Sequence, residues 1–353
     1  MLIELRAKNC FSFSDEIRFS MKADMRNKKF SSNVHTENYF NVLKTAGIYG
    51  PNNVGKTCLV KCVRSAKNIL LNQKPGIVPN IFQKSTICQL GITFLEEGRK
   101  FSYDFWYDDK KEEYPYEKFA EIIRDQYGNE KENVWLLKDI VNGNCQYDDD
   151  DLLKMMPLIS QSNLLFYLVD SSKFGQLAEM KRIVTKFASR IDIVNMNNIP
   201  LKRTINLMKS QNDLQRKVVE FIKNSDLYMD DFEYVDMDKI HVEINPDEEK
   251  PEEKALDIPD QIMDQIRLIS VYKGVAVPSV LFDSTGTKKI AALASYIIEG
   301  IEQGRILVVD ELDSSIHFKL TRAIVAMFNN ELNTNAQMIF TVHDINLMDC
   351  KKM

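Results

Sequence analysis

Residues 50–57 read Gly-Pro-Asn-Asn-Val-Gly-Lys-Thr, the spacing GxxxxGK[ST]. A short apolar run, Thr45-Ala46-Gly47-Ile48-Tyr49, precedes them, and Cys58, Leu59, Cys62, Val63, Ala66, Ile69 and Leu70 follow at helical spacing. The pattern predicts a buried strand, a tight loop and a helix, which is the context such a loop needs in order to act. Its glycines let backbone approach an anion, whose charge is met by successive N–H groups and by the positive end of the helix. Gly50, Asn52, Asn53 and Gly55 would shape that cradle. Lys56 has the reach for the β- and γ-phosphates of a nucleotide, and the Thr57 hydroxyl can ligate Mg²⁺. The plainer alternative is an ordinary glycine-rich turn, which the flanking strand and helix disfavour.

Three later segments carry further chemistry. Ile306-Leu307-Val308-Val309-Asp310-Glu311 is an apolar strand ending in two acids, as suits a strand buried on both faces. Acids at the C-terminal end of such a strand lie where α/β sheets bind ligands. Asp310 would hold Mg²⁺ through water and Glu311 would polarise an attacking water; a strand running into an acidic surface loop is the bland reading. Phe282-Asp283-Ser284-Thr285-Gly286-Thr287-Lys288-Lys289 opens an apolar helix, with Ser284 as its cap and Gly286 permitting close backbone approach. Alone it is only a cap. Ile339-Phe340-Thr341-Val342-His343-Asp344 puts a histidine at the end of a late strand, where a structural role is the commoner one.

Along the chain, Leu2 to Met21 alternates as two short strands around Asn9-Cys10, and Lys22 to Lys44 reads as a polar, basic, exposed connection. Runs at Ile87–Leu95, Lys100–Tyr107, Lys118–Arg124 and Asn133–Lys138 predict an antiparallel sheet. Asp151 to Leu227 reads as helical, and the acidic, proline-containing Asn245 to Glu253 as a mobile loop. Strands at Ile266–Tyr272 and Ala276–Leu281, a helix at Thr287–Glu299, a strand at Ile306–Val309, a helix at Phe318–Phe328 and a strand at Gln337–Phe340 complete the reading. Three parts follow: residues 1–150, 151–265 and 266–353.

Lys56, Ser284, Glu311 and His343 occur in the order of one ATPase family. The chain resembles the ABC-type ATPase heads, the superfamily of SMC proteins, RecF and the OLD-type defence ATPases. In that family's terms Gly50–Thr57 looks like Walker A, Ser284–Gly286 the signature, Ile306–Glu311 Walker B, Leu312-Asp313 the D-loop and His343 the switch histidine. The narrower resemblance is to the bacterial abortive-infection ATPases of the AbiLi-like group. It is carried by Leu2–Met21, Val218–Asp226, Asp310–His317 and Asn335–Thr341.

The resemblance implies an α/β fold: an ABC-type P-loop NTPase core with an antiparallel β subdomain and a helical insertion. It also implies ATP and Mg²⁺ as cofactors and hydrolysis at the interface of a head-to-tail homodimer. Ser284 and Gly286 would then meet the γ-phosphate on the other protomer, and Glu311, His343 and Asp313 would complete the site. The signature is Ser-Thr-Gly-Thr where transporters have Ser-Gly-Gly-Gln, and the Q-loop glutamine is Gln83 or Gln89. The chain stops at Met353, where relatives continue with a strand and helix or a TOPRIM nuclease; none is expected here. A separate effector, toxin or nuclease, is the expected partner in anti-phage defence. The alternative is a RecF- or SMC-like head that clamps DNA, although residues 151–227 are too short and lack the heptads for a long coiled coil. A nucleotide-binding scaffold with little turnover is a third reading.

Composition constrains the rest. A net charge of −5 argues against coating nucleic acid by bulk charge. No basic, apolar leader opens the chain and no apolar run reaches the roughly 20 residues of a membrane span, so a cytoplasmic protein is expected. Cys10, Cys58, Cys62, Cys88, Cys145 and Cys350 form no CxxC pair and read as reduced, mostly buried thiols. Asp148–Asp151 reads as acids at a helix start before it reads as a metal site. His241 and His317 lack partners at ligand spacing. Tyr103, Trp106 and Tyr107 read as a half-buried strand face before a base-stacking one, and Lys22, Arg26, Lys28 and Lys29 as a solvated loop.

Overall fold

The computed structural model describes residues 1–26, 29–210, 212–225, 228–235 and 260–343. The expected loop at 245–253, His241, Lys28 and Cys350 lie outside them. The N-terminal part contains strands β1 (Leu2–Lys8), β2 (Ile17–Ser20), β3 (Val34–Glu37), β4 (Phe40–Leu43) and β5 (Thr45–Ile48), then helix α1 (Lys56–Leu70). Strands β6 (Ile87–Glu96), β7 (Arg99–Asp108), β8 (Glu113–Arg124), β9 (Glu130–Asp139) and β10 (Asn144–Gln146) follow. With β1 and β2 they build a seven-stranded antiparallel sheet in the order β10-β9-β8-β7-β6-β1-β2.

Helices α2 (Asp150–Met155), α3 (Leu165–Leu168) and α4 (Gly175–Ser189) lead into strand β11 (Ile191–Asn195), helices α5 (Lys202–Ser210) and α6 (Asp213–Ser225) and strand β12 (Asp231–Tyr234). Next come α7 (Asp260–Ile266), β13 (Leu268–Tyr272), β14 (Val275–Pro278), α8 (Ser279–Phe282), α9 (Thr285–Glu302), β15 (Ile306–Asp310), α10 (Phe318–Phe328) and β16 (Gln337–Thr341). Strands β11-β15-β16-β5, in that order, form an all-parallel sheet.

The two sheets share a core because β15 is apolar on both faces. Ile306 and Val308 pack with α1, α4 and the antiparallel sheet, while Leu307 and Val309 pack with α9 and α10. On the antiparallel sheet, alternation places Phe101, Tyr103 and Phe105 of β7 on one buried face, and Phe94 stacks on Phe187 of α4 at 4.2 Å. Buried Gln337 stitches the sheets together: its side-chain carbonyl accepts from the Leu2 N–H (2.8 Å), and its amide donates to the carbonyls of Leu2 and Leu43 (both 2.9 Å). Helices α5 and α6 pack with β12 and β13 against Ala291, Ala294 and Ile298 of α9. Among the described residues no helix is long and apolar enough to cross a membrane.

Four sequence expectations are corrected. Lys22–Lys44 is not simply an exposed connection: it holds the hairpin β3–β4, with Phe40 and Val42 buried and Asn38 turning at φ 54°. The lysines obscured a short alternation, and Lys44 itself is buried, donating to the Asn330 carbonyl at 3.0 Å. The run 151–227 is not helical throughout, because Ile191–Asn195 is a strand of the parallel sheet. Burial raises the Asp192 carboxyl, but hydrogen bonds from Arg305 and the charge of Arg203 outweigh that and hold it below the usual range. Ile266 belongs to α7, and the strand starts at Leu268. Finally, β14 ends at Pro278; Ser279–Phe282 turns helically, with the Asp283 N–H bonded to the Ser279 carbonyl at 3.0 Å.

The minor candidates sort by their contacts. Asp149 caps α2 by accepting from the N–H groups of Asp151 and Leu152. His317 caps α10 through Nδ1. Tyr103 and Tyr107 are buried, and half-buried Trp106 stacks on Tyr116 at 4.4 Å. Cys10, Cys62 and Cys88 are buried, whereas Cys58 and Cys145 are half-buried.

The antiparallel sheet holds one ion pair away from water. Glu117 and Lys138 are both 0% exposed; the Glu117 carboxylate takes the Lys138 ammonium (3.1 Å), the Tyr103 hydroxyl (2.9 Å) and the Leu165 N–H (3.1 Å), anchoring α3 on the sheet. Burial, together with the Glu117 charge, pushes the Tyr103 phenol well above its usual range. Removing one partner strands a buried charge, so Glu117→Ala is expected to cost about 3–5 kcal/mol in urea unfolding. The paired change Glu117→Leu with Lys138→Met should recover most of that loss; equal losses in both would refute the assignment.

Candidate functional site

The C-terminal ends of the parallel strands converge on a cavity of about 660 Å³. Its floor is the 50–57 loop, with Asn52, Asn53, Gly55, Lys56 and Thr57 on the wall; Glu311, Thr341 and His343 face them, and Ser12 and Cys58 close the side. The volume is that of an ordinary small-ligand site.

The loop has the backbone its sequence predicts. Asn53 (φ 64°), Gly55 (φ 96°) and Gly50 (φ 151°) adopt positive φ. Left-handed turns of this kind let a loop curl N–H groups around an anion. A side chain at Gly55 would also meet the Phe13 ring, which stands 2.9 Å from the ideal Cβ position. Phe13 is held there by the tight turn in which Cys10 and Phe13 exchange backbone hydrogen bonds (3.0 and 2.9 Å). Lys56 is buried and its ammonium turns back onto the carbonyls of Gly50 (2.5 Å) and Pro51 (2.9 Å). A cation folded into its own loop fits an anion-binding cradle, because phosphate oxygens are the acceptors for which those carbonyls can be exchanged.

Asp310 lies just behind the cavity, 2% exposed, and every neighbour in the sheet contributes to it. Its carboxylate accepts from the Thr341 hydroxyl of β16 (2.7 Å), the Thr57 hydroxyl of α1 (3.4 Å) and the Asn195 amide of β11 (3.0 Å). A carboxylate and a threonine hydroxyl on one point are a hard-oxygen donor set that suits Mg²⁺. Glu311 has left-handed backbone (φ 59°), its N–H donates to Thr341 Oγ1 (2.7 Å), and its carboxylate accepts from the Asn197 side chain. The Asp313 carboxylate accepts from the His343 N–H at 2.8 Å and so ties the segment after Glu311 to the end of β16.

Ser284 and Gly286 do not line this cavity. They start α9, where Ser284 accepts from the Thr287 N–H (3.1 Å). A Cβ on Gly286 would lie 2.8 Å from the Ser315 carbonyl, so close helix packing also requires a glycine there. Buried Asp283 holds this segment by accepting from three hydroxyls: Ser270 and Ser279 (both 2.6 Å) and Tyr272 (2.8 Å). Gln83 is exposed, and Gln89 lies in β6 opposite Trp106; neither lines the cavity. Besides the Thr57 and Thr341 hydroxyls, the side chains that reach the two acids are the amides of Asn195 and Asn197, which the sequence reading missed. Ile191-Asp192-Ile193-Val194-Asn195, a β-branched run ending in a turn former, was their available signal.

Comparison with known proteins agrees with this architecture. Residues 187–349, slightly under half of the chain, match the family model described as "AAA domain, putative AbiEii toxin, Type IV TA system". That span contains β11, β15 and β16 but not the 50–57 loop. The chain is similar to a solved SMC head bound to the C-terminal winged-helix domain of ScpA, at 13% identity and a TM-score of 0.50, covering 99% of this chain and 91% of that one. A second solved structure, the SMC head domain from Thermotoga maritima, shares 12% identity over the same proportions with a TM-score of 0.44. The chain matches no curated protein sequence. The fold is that of an SMC-head-like P-loop ATPase, mixed α/β with an antiparallel sheet and added helices.

Gly55→Ala is expected to destabilise the chain by about 1–3 kcal/mol from its left-handed backbone alone. Adding Phe13→Ala removes the ring clash but leaves that strain, so thermal melts without nucleotide should show only partial recovery; full recovery would mean that the backbone conformation is not the constraint.

Proposed function

We propose that the cavity binds ATP with Mg²⁺ and hydrolyses it. The observation that carries this reading is the convergence of Lys56, Thr57, Glu311 and His343, from three separate segments, on one cavity, with Asp310 just behind it bonded to Thr57. Lys56 would exchange the carbonyls of Gly50 and Pro51 for the β- and γ-phosphates. Thr57 and Asp310 would hold the metal, whose charge lowers the repulsion between nucleotide and approaching water. Glu311 orients that water and His343 contacts the γ-phosphate, so the rate comes from positioning and charge stabilisation.

One protomer does not complete such a site. Ser284 and Gly286 stand at the start of α9 outside the cavity, and they would meet the nucleotide of a second copy packed head to tail. ATP then acts as the link between protomers. The family match from residue 187 onward supports a toxin–antitoxin setting; the reading adds a regulatory ATPase of a defence system, working in the cytoplasm with a separate effector, toxin or nuclease. On this reading the chain would stand with the AbiLi-like and OLD-like ATPases, as its motif order suggests. The expected outcomes are that Lys56→Ala weakens ATP binding by at least about tenfold, and that Glu311→Gln lowers turnover by about 100-fold while accumulating an ATP-dependent dimer by light scattering. A Glu311→Gln protein that stays monomeric in ATP would exclude the shared site.

Similarity to the SMC head favours a second reading, in which ATP-driven dimerisation clamps DNA. It predicts DNA binding that strengthens with ATP, falls steeply with salt, and weakens when Lys28 and Lys29 are both changed to Ala. Fluorescence anisotropy with duplex DNA at two salt concentrations separates the two readings.

A further inference from the structure

Glu311 needs something to aim it. Its backbone is left-handed, a conformation that strains a non-glycine residue, and its N–H is committed to Thr341. Neither fixes the carboxylate. The side chain that does so comes from the turn that follows the neighbouring strand: Asn197, just past β11, donates from Nδ2 to Glu311 Oε2.

Asn197 is itself held at both ends. Its backbone N–H donates to the Asn195 side-chain carbonyl at 2.8 Å, and its own Oδ1 accepts from the Ser314 hydroxyl at 2.7 Å. Because Ser314 uses the oxygen of this amide, the NH₂ end is the one that faces Glu311. Ser314 is fixed in turn, its N–H on the Glu311 carbonyl (2.9 Å) and its hydroxyl 3.1 Å from the Lys289 ammonium. Lys289 also reaches Ser315 Oγ at 3.1 Å. Since Lys289 lies on α9 close behind Ser284, one run of hydrogen bonds joins the start of α9 to the carboxylate in the cavity. A local turn would explain the bond between Asn197 and Asn195, but not an amide donor extended to an acid that follows another strand.

We propose that Asn197 is a positioning residue for hydrolysis: it holds Glu311 Oε2 so that Oε1 is presented to water, with Ser314 and Lys289 holding Asn197 from the α9 side. This rests on the reading of Glu311 as the water-orienting acid. Asn197 is exposed, so replacing it opens no core cavity and should move stability little.

The test is steady-state ATP hydrolysis by the full chain with Mg²⁺, beside an ATP-binding titration and a thermal melt. Asn197→Ala is expected to lower kcat by about 10- to 100-fold with KM and ATP affinity within about twofold. Asn197→Asp should lose at least as much, since it keeps the volume but turns the donor into a repelling carboxylate. In a Glu311→Gln background, Asn197→Ala should cause no further loss, because the residue acts through the acid. Wild-type turnover in both Asn197 variants, or losses that multiply in the double variant, would overturn the proposal. Failure of the underlying reading looks different: there Glu311→Gln itself hydrolyses ATP at the wild-type rate.

Discussion

The carboxylate of Asp310 is the point on which the cavity depends. It is nearly fully buried, and a charge so placed is tolerated only where donors surround it. Thr341, Asn195 and Thr57 supply them, from β16, from β11 and from the helix that follows β5. Satisfying one acid therefore fixes the relative position of all four strands of the parallel sheet at their C-terminal ends. The same register lets Thr341 accept from the Glu311 N–H, which sets the backbone of the second acid.

What lies behind this point is rigid for a different reason. The β15 residues are buried on both faces, so the strand cannot slide without drawing Arg305 or its terminal acids into an apolar layer. Gln337 locks β1 of the antiparallel sheet to the start of β16, and the Glu117–Lys138 pair pins α3 across that sheet. The turn carrying Phe13 presses on Gly55 from this side, so the antiparallel sheet reaches the 50–57 loop directly. On the opposite face α5 and α6 pack on α9 and support the segment that begins with Ser284. The added helices thus support the segment proposed to meet a second copy's nucleotide.

How far the site could be read in advance follows from the range of each interaction. The strand–loop–helix around residues 50–57 was legible because its chemistry is local: glycine spacing, a lysine, and a helix start. Strand β15 was legible because two-sided burial leaves an unbroken apolar run ending in acids. Strand β11 was not, since its five residues follow a long amphipathic helix without a break, and only pairing with β15 makes them a strand. The hairpin β3–β4 was hidden by lysines whose stems and ammonium groups find partners only after folding, as Lys44 does at Asn330. Gln83 and Gln89 drew attention as glutamines near a strand, but that strand belongs to the antiparallel sheet, away from the cavity.

By itself the sequence determined the local chemistry of this protein: a loop whose backbone suits an anion, a buried strand that delivers two acids, a capped helix at Ser284, and an antiparallel run of alternating aromatics. Each depends on residues within a few positions of one another, where spacing and backbone preference are enough. Tertiary structure alone decided which strand lies beside the acids, and therefore that Asn195 and Asn197 hold them. It also decided that Ser284 and Gly286 stand outside the cavity of their own chain. Those outcomes turn on the order of strands in a sheet and on the satisfaction of a buried charge, and neither is encoded within any one segment.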